Sequence, residues 1–374
     1  MKNLAYEFCT QGINWLFRVR TLGAQMFKGG LALLIVVLGA DYAVGLVFQY
    51  RDVKLDFQGS AGSGLPAFLV YTAAAIAILM MIVGTIFILR DERIERRKFL
   101  VVVEVRGLHS SPGGPAKDAI KPGFRGQRHS VLVDFRPSHA ADLVNPELML
   151  SKIQGMKLNV DSAAQGRDMR DVSVAIGGIA AVPGMFLIGM RMEDESPIEL
   201  YDWNRDLKLW KMIGGFDDGN RPRPLEVPSI SAGDTEVVLA VSASYPVADE
   251  AIAATFPGLP VVRLAAGKIE ANSYWAEEVQ RAFATAFRNA VQTILALQVK
   301  RIHLVLAAPA GLTLRLGATY DERLHPELVV YQFEKSSTPP YPWGVLLPNH
   351  GSAEPSIVRV PAAVPIAPAA PAVA

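Results

Sequence analysis

The hydrophobic pattern changes character near residue 98. Before that point, Pro66–Leu89, "PAFLVYTAAAIAILMMIVGTIFIL", runs for 24 residues without an Asp, Glu, Lys, Arg or His. As a helix it would be roughly 36 Å long, against a hydrocarbon core of about 30 Å. A buried core helix of that length would show a polar stripe, so the segment predicts a transmembrane helix. Gly29–Tyr50 is a second candidate, interrupted only by Asp41. The 28 residues ahead of it, and the lack of a clean small-residue cleavage site after it, argue against a signal peptide. Within those 28 residues, Leu4, Phe8, Trp15, Val19, Leu22 and Met26 recur at helical spacing, the pattern of an interfacial amphipathic helix.

After residue 98, short Val/Ile/Leu runs alternate with helical patterns, and the alternation occurs twice. "DVSVAIGGIAAVPGMFLIGMRMEDESPIELYDW" (171–203) lies over "RIHLVLAAPAGLTLRLGATYDERLHPELVVYQF" (301–333). Both read as an apolar strand, a small-residue turn with Pro, and an apolar helix closed by Gly189 or Gly317. A second strand follows, ending in Tyr201 or Tyr331. Upstream, "FLVVVEVRGLHS" (99–110) matches "TEVVLAVSASYP" (235–246), and "SVLVDFRP" (130–137) matches "LPVVRLAA" (259–266). A helical pattern at 274–298, with Trp275, Val279, Phe283, Phe287 and Val291 on one face, matches one near 146–158. Continuous apolar strands separated by helices predict α/β halves with parallel sheets covered on both faces. The expectation is two Rossmann-like halves related by a pseudo-twofold axis.

The boundaries follow from these patterns. Residues 1–28 form a cytoplasmic amphipathic segment and 29–98 a two-helix hairpin with a basic end. The first half spans 99–225 and the second 226–350. The Ala/Pro-rich tail 351–374 is expected to be disordered, and the Gly/Pro-rich stretch 109–127 to lack regular structure and act as a lid or interface loop.

Charge then sets orientation. Residues 1–28 and 90–98 together hold nine Lys/Arg, against two in 51–65, which places both termini and the C-terminal unit in the cytoplasm. Overall charge adds nothing, since 37 Lys+Arg face 36 Asp+Glu; a DNA or RNA partner is not implied. One cysteine, Cys9, excludes a disulfide framework and a Cys-based metal site. Asp41, drawn near the centre of its span, would be costly there. It reads either as a polar contact between helices or a pore-lining group in a membrane oligomer, or as a residue nearer the interface.

Doubly wound sheets bind ligands at the carboxyl ends of their strands. There the first half carries Arg106, Gly107, His109 and Ser110, and the second Ser242, Ser244 and Tyr245. Arg pairs with phosphate, hydroxyls bond phosphate or base, and Tyr stacks on a base. Residues 106–136 hold six Lys/Arg against Asp118 and Asp134, which favours an anion. With Arg136 and the small-residue turns at Gly177, Gly178, Ala308 and Pro309, these residues are the candidate ligand contacts. No catalytic residue, metal ligand or cofactor is expected. No P-loop, GxSxG, HExxH or Cys/His cluster is present. A cyclic oligonucleotide, with repeating phosphates and bases, would suit such a pocket.

"IHLVLAAPAGLTLRLGATYDERLHPELVVYQFE" followed by "YPWGVLLP" resembles SAVED domains, the sensors of bacterial cyclic-oligonucleotide antiphage (CBASS) systems, which join two CARF-like units. The likeness covers about residues 99–350. With two spans ahead of it, the chain looks like a transmembrane SAVED effector in the bacterial inner membrane. The resemblance implies a cyclic di- or trinucleotide ligand made by a partner CD-NTase. It also implies ligand-induced homo-oligomers or filaments, and membrane disruption in abortive infection. The alternatives are a ring-cleaving membrane enzyme and a nucleotide-binding membrane scaffold.

Overall fold

A computed structural model describes residues 21–41, 47–50, 53–56, 67–108, 116–139, 143–192, 198–231, 233–349 and 354–361. The chain divides into two compact units, Met1–Arg97 and Lys98–Ala374.

In the first unit, helix Ala67–Arg97 contains the long apolar segment, and Phe68–Arg97 is long and apolar enough to cross a membrane. Its partner helix is Leu22–Asp41, not 29–50. Val47–Tyr50 (β1) and Val53–Asp56 (β2) form an antiparallel hairpin instead. That correction has a local cause. V-K-L-D alternates with period two and V-F-Q-Y is rich in strand-forming residues, so the two segments pair as strands and do not prolong an apolar helix. Asp41 is accordingly the last helical residue and not a mid-helix charge. The amphipathic pattern lies, up to residue 20, outside the described residues.

The two helices run antiparallel and approach through glycine. A Cβ on Gly30 would stand 2.6 Å from the Ala77 carbonyl, and one on Gly84 would stand 2.6 Å from the Phe27 nitrogen. Small residues at a seam are how apolar helices pack where lipid surrounds them. Phe68, Tyr71, Leu79, Ile82 and Ile86 point outward from the pair.

The second unit contains two sheets of one design. The first has strand order β4-β3-β5-β6-β7, built from Phe99–Arg106 (β3), Gln127–Asp134 (β4), Val172–Ile179 (β5), Ile198–Asn204 (β6) and Leu209–Met212 (β7). The second has order β13-β12-β11-β10-β8-β9, built from Glu236–Ser242 (β8), Val261–Ala265 (β9), Arg301–Ala307 (β10), Glu327–Gln332 (β11), Trp343–Leu346 (β12) and Ser356–Arg359 (β13). In each sheet the first four strands are parallel and the outer ones antiparallel. The expected duplication is present element by element, and β13 carries the ordered fold past the boundary expected at residue 350. Described residues of the stretch 109–127 include a short helix, Ala116–Ala119, pinned where Arg128 bonds the carbonyls of Lys117 and Lys121.

Period-two burial explains the layering. Phe99, Val101, Val103 and Val105 enter the large core between the sheets, while Leu100 and Val102 face a small cluster with Ile120 and Tyr201. Strands buried on both faces read as unbroken apolar runs. The large core also holds helices Pro146–Ala164 and Glu277–Ala296, and the pair Val182–Arg191 and Ala310–Gly317. That pair lies on the pseudo-twofold axis. A Cβ on Gly189 would stand 2.0 Å from the Leu314 carbonyl, and one on Gly317 would stand 2.0 Å from the Phe186 carbonyl. The contacts are reciprocal between equivalent positions. Gly317 closes its helix as expected, while Gly189 lies two residues inside the end of its own, and both are points where the two helix backbones touch.

Candidate functional site

Each sheet places its first two strands on one side of the point where strand order reverses, between β3 and β5 and between β8 and β10, and the next strands on the other side. Connections leave such a switch point in opposite directions, which opens a crevice at the carboxyl ends. A cavity of about 290 Å³ lies across both crevices. The first half contributes Leu108, Ile179, Ala180, Val182, Asp202, Trp203 and Arg205. The second contributes Ser244, Tyr245, Asn272, Ser273, Trp275, Leu306–Ala310 and Thr313. Both small-residue turns therefore line one space.

The helix N-termini beside those turns are already occupied. Asp202, at the end of β6, accepts from Gly311 N–H at 2.9 Å and from its neighbour Trp203 N–H at 2.8 Å. Gln332, at the end of β11, accepts from Val182 N–H at 3.0 Å. Each half thus caps the other half's helix, and the expected role of these N-termini as anion sites passes to internal side chains. Burial pushes the Asp202 carboxyl up to about 6, against the lowering effect of its two backbone donors.

The remaining polar groups sit at the cavity mouth. Arg205 is the only Lys or Arg lining it among the described residues. Its guanidinium donates to the Tyr245 hydroxyl at 3.3 Å, and no described carboxylate forms an ion pair with it. Three aromatic side chains, Trp203, Tyr245 and Trp275, line the same space. The Trp275 indole N–H donates to the Asn272 carbonyl at 2.7 Å, and Gly214 and Gly215 N–H groups hold the Trp275 carbonyl. A cation with donors to spare beside aromatic faces can take a phosphate and stack bases. Among the described residues no group of His, Cys, Asp and Glu is arranged to hold a metal ion.

The family model described as SAVED, SMODS-associated and fused to various effectors sensor domain, matches residues 158–347, slightly more than half of the chain. The chain belongs to the SAVED family. The model for the SAVED-fused 2TM effector domain matches residues 1–150, which implies two transmembrane helices. Among the described residues one helix has the length and apolarity for a span. No curated protein matches the chain. Similar solved structures include the Acinetobacter baumannii Cap4 SAVED/CARF-domain containing receptor with the cyclic trinucleotide 2′3′3′-cAAA, at 12% identity and TM-score 0.44. The match covers 76% of this chain and 60% of that chain. The Moraxella osloensis Cap4 receptor aligns at 11% identity and TM-score 0.38, covering 75% of this chain and 58% of that one. The chain thus spans about 60% of the length of these receptors.

Within this SAVED protein the candidate contacts divide into two groups. Ser244, Tyr245, Ala308 and Pro309 line the cavity. The other described candidates are not on its wall. Arg106 is bound to Glu104 at 2.6 Å, and Arg136 to Asp134 at 2.6 Å. The Ser242 hydroxyl accepts from Val247 N–H at 3.0 Å and holds the turn after β8. Gly107 packs on Ala180 and Phe135, Gly178 on Val105, and Gly177 faces Tyr201. His109 and Ser110 lie outside the described residues. The local excess of positive charge is also spent inside the fold, because Lys121 bonds Glu199. The cavity residues missed from the sequence, chiefly Asp202, Trp203, Arg205, Asn272 and Trp275, lie in the last residues of β6, on the turn after it, or in the loop before helix Glu277–Ala296. Trp275 was assigned to the buried face of a helix that in fact begins at Glu277.

Proposed function

We propose that the chain is a ligand-gated membrane effector. It binds a cyclic di- or trinucleotide in the cavity between its two α/β halves, assembles into homo-oligomers, and disrupts the inner membrane in antiphage defence. A partner CD-NTase supplies the ligand, and both termini are cytoplasmic. The observation that carries this reading is a cavity walled by the switch points of both halves, with Arg205 and three aromatic side chains at its mouth. Family membership as a sensor domain fused to a two-transmembrane effector supports it.

The energetics are demanding but attainable. Shifting a two-state protein from mostly off to mostly on takes about 5.5 kcal/mol of differential ligand affinity. Charge-assisted hydrogen bonds contribute about 1.5–3 kcal/mol each, and base–aromatic stacking about 1–3 kcal/mol per base. A ligand held by Arg205 and two aromatic faces reaches that total.

The test uses the full chain in lipid vesicles, titrated with cyclic di- and trinucleotides of the four bases while dye release and ring integrity are followed. The reading predicts saturable binding, dye release that depends on the ligand, and an intact ring. Failure of every ring to bind overturns it. Ring cleavage would make the protein an enzyme, and binding without dye release would remove the membrane-disrupting role.

A further inference from the structure

Asn272 stands out at the cavity wall for its backbone and for its amide. Its φ of 58° is left-handed, a region that Asn tolerates better than most residues and that clusters at ligand sites. Its Nδ2 donates to an Asp206 carboxylate oxygen on the β6–β7 turn of the other half. That carboxylate can only accept, so it settles which end of the amide is which. The Oδ1 is sealed from solvent and has no hydrogen-bond partner among the described residues. A buried acceptor left unmet is a cost that some arrangement of the protein should remove.

The surroundings indicate what could remove it. The turn bearing Asp206 is a stiff unit, since the Asn204 side chain accepts from the N–H groups of Asp206 and Leu207. Arg205 sits on the same turn and is tied to Tyr245, so the turn closes the mouth with two links. At about 290 Å³ the cavity, open at its mouth, falls just short of the roughly 300–1,000 Å³ that drug-sized ligands occupy. A cyclic oligonucleotide is larger than that, and its entry requires the turn to withdraw. Withdrawal would free the whole Asn272 amide, a donor beside an acceptor. That pair matches the adenine edge, whose N6 amino group donates and N7 accepts.

We infer that Asn272 reads an adenine edge of the ligand, with Asp206 holding its place in the ligand-free protein. This rests on the proposed function. The two partners of one hydrogen bond then have opposite effects, whereas a purely structural link would make them alike. The experiment measures affinity for 2′3′3′- and 3′3′3′-linked cyclic triadenylate, with cyclic triuridylate and cyclic diguanylate for comparison, in the full chain and in Asn272→Ala, Asn272→Asp and Asp206→Ala. Loss of the bidentate pair in either Asn272 variant should weaken triadenylate binding on the order of 10- to 100-fold and erase its preference over the other rings. Asp206→Ala should instead strengthen binding and speed association, because the closed form no longer competes. Asn272→Asp keeps the side-chain shape and so answers for any folding defect in the alanine variant. Parallel losses in the Asn272 and Asp206 variants would overturn the inference, as would unchanged affinity in the Asn272 variants. A wild-type preference for a ring without adenine would also overturn it, with the proposed function intact. If the wild type binds no ring, both fall.

Discussion

Asp202 and Gln332 occupy the same place in the two halves, and each accepts a hydrogen bond from the N-terminus of the other half's helix. One is a carboxylate and the other a neutral amide. A helix N-terminus favours negative charge, yet burial works against it and pushes Asp202 up to about 6. The same contrast runs along the mouth. Counted on from Tyr201 and Tyr331, which the strand registers align, Trp203 corresponds in sequence to Phe333 and Arg205 to Lys335, but only the first-half members line the cavity. At the first strand's end Arg106 aligns with Ser242, and its charge is used by Glu104. Duplication has preserved the backbone and the helix seam while the site chemistry became one-sided. Among the described residues the cavity takes its one Lys or Arg, Arg205, from the first half and mostly backbone, hydroxyl, amide and aromatic groups from the second.

Four variants, one of them a double substitution, probe this contrast, from the largest expected effect to the smallest. The seam should be least tolerant because its symmetry is steric. Gly189→Ala with Gly317→Ala places two methyl groups against backbone carbonyls, at about 3 kcal/mol each, the upper end for overpacking. Thermal unfolding should show a fall in Tm of many degrees. Equal stability would mean that the helices separate freely.

Asp202→Asn should affect pH dependence. With the folded pKa near 6 and an ordinary unfolded value near 3.8, the folded state retains the proton between those values and the unfolded state does not. Stability therefore falls as pH rises from about 4 to 6, by about 3 kcal/mol, and stays lower above. Asn keeps an acceptor for Gly311 and cannot titrate, so denaturant unfolding of the variant should lack that component. An identical profile in both proteins would refute the assignment.

Arg205→Ala should weaken cyclic-nucleotide binding by about 10- to 100-fold, the loss of charge-assisted bonds. Arg106→Ala should change affinity less than about twofold, since that guanidinium is committed to Glu104. Calorimetric titration checks both. A reversal of the two would place the ligand on the first half's basic strand end.

How far the sequence could be read depends on what kind of interaction each residue serves. Strand, turn and helix in "VLAAPAGLTLRLG" follow from local pattern, and the order of elements from its repetition. Gly189 and Gly317 show one limit. A glycine near a helix end looks the same whether the backbone needs left-handed freedom or another backbone needs room, and here the second reason holds. Arg106 and Arg136 show a signal that was available and unused. Each has a carboxylate two residues earlier: Glu104 shares a strand face with Arg106 by period-two geometry, and Asp134, the last residue of β4, meets Arg136 just beyond the strand. Arg205 and Asn272 show the opposite case. They lie on turns far apart in sequence and become a site only when the halves close around the seam. Beyond β7, nothing local marks Trp275 as a wall residue.

The most direct test of the central claim is hydrogen–deuterium exchange of the full chain with and without its cyclic-nucleotide ligand. Joint binding by both halves predicts new protection in residues 179–182 and 307–311 together, with the 204–208 turn responding as well. Protection confined to one half, or none in either turn, would contradict it.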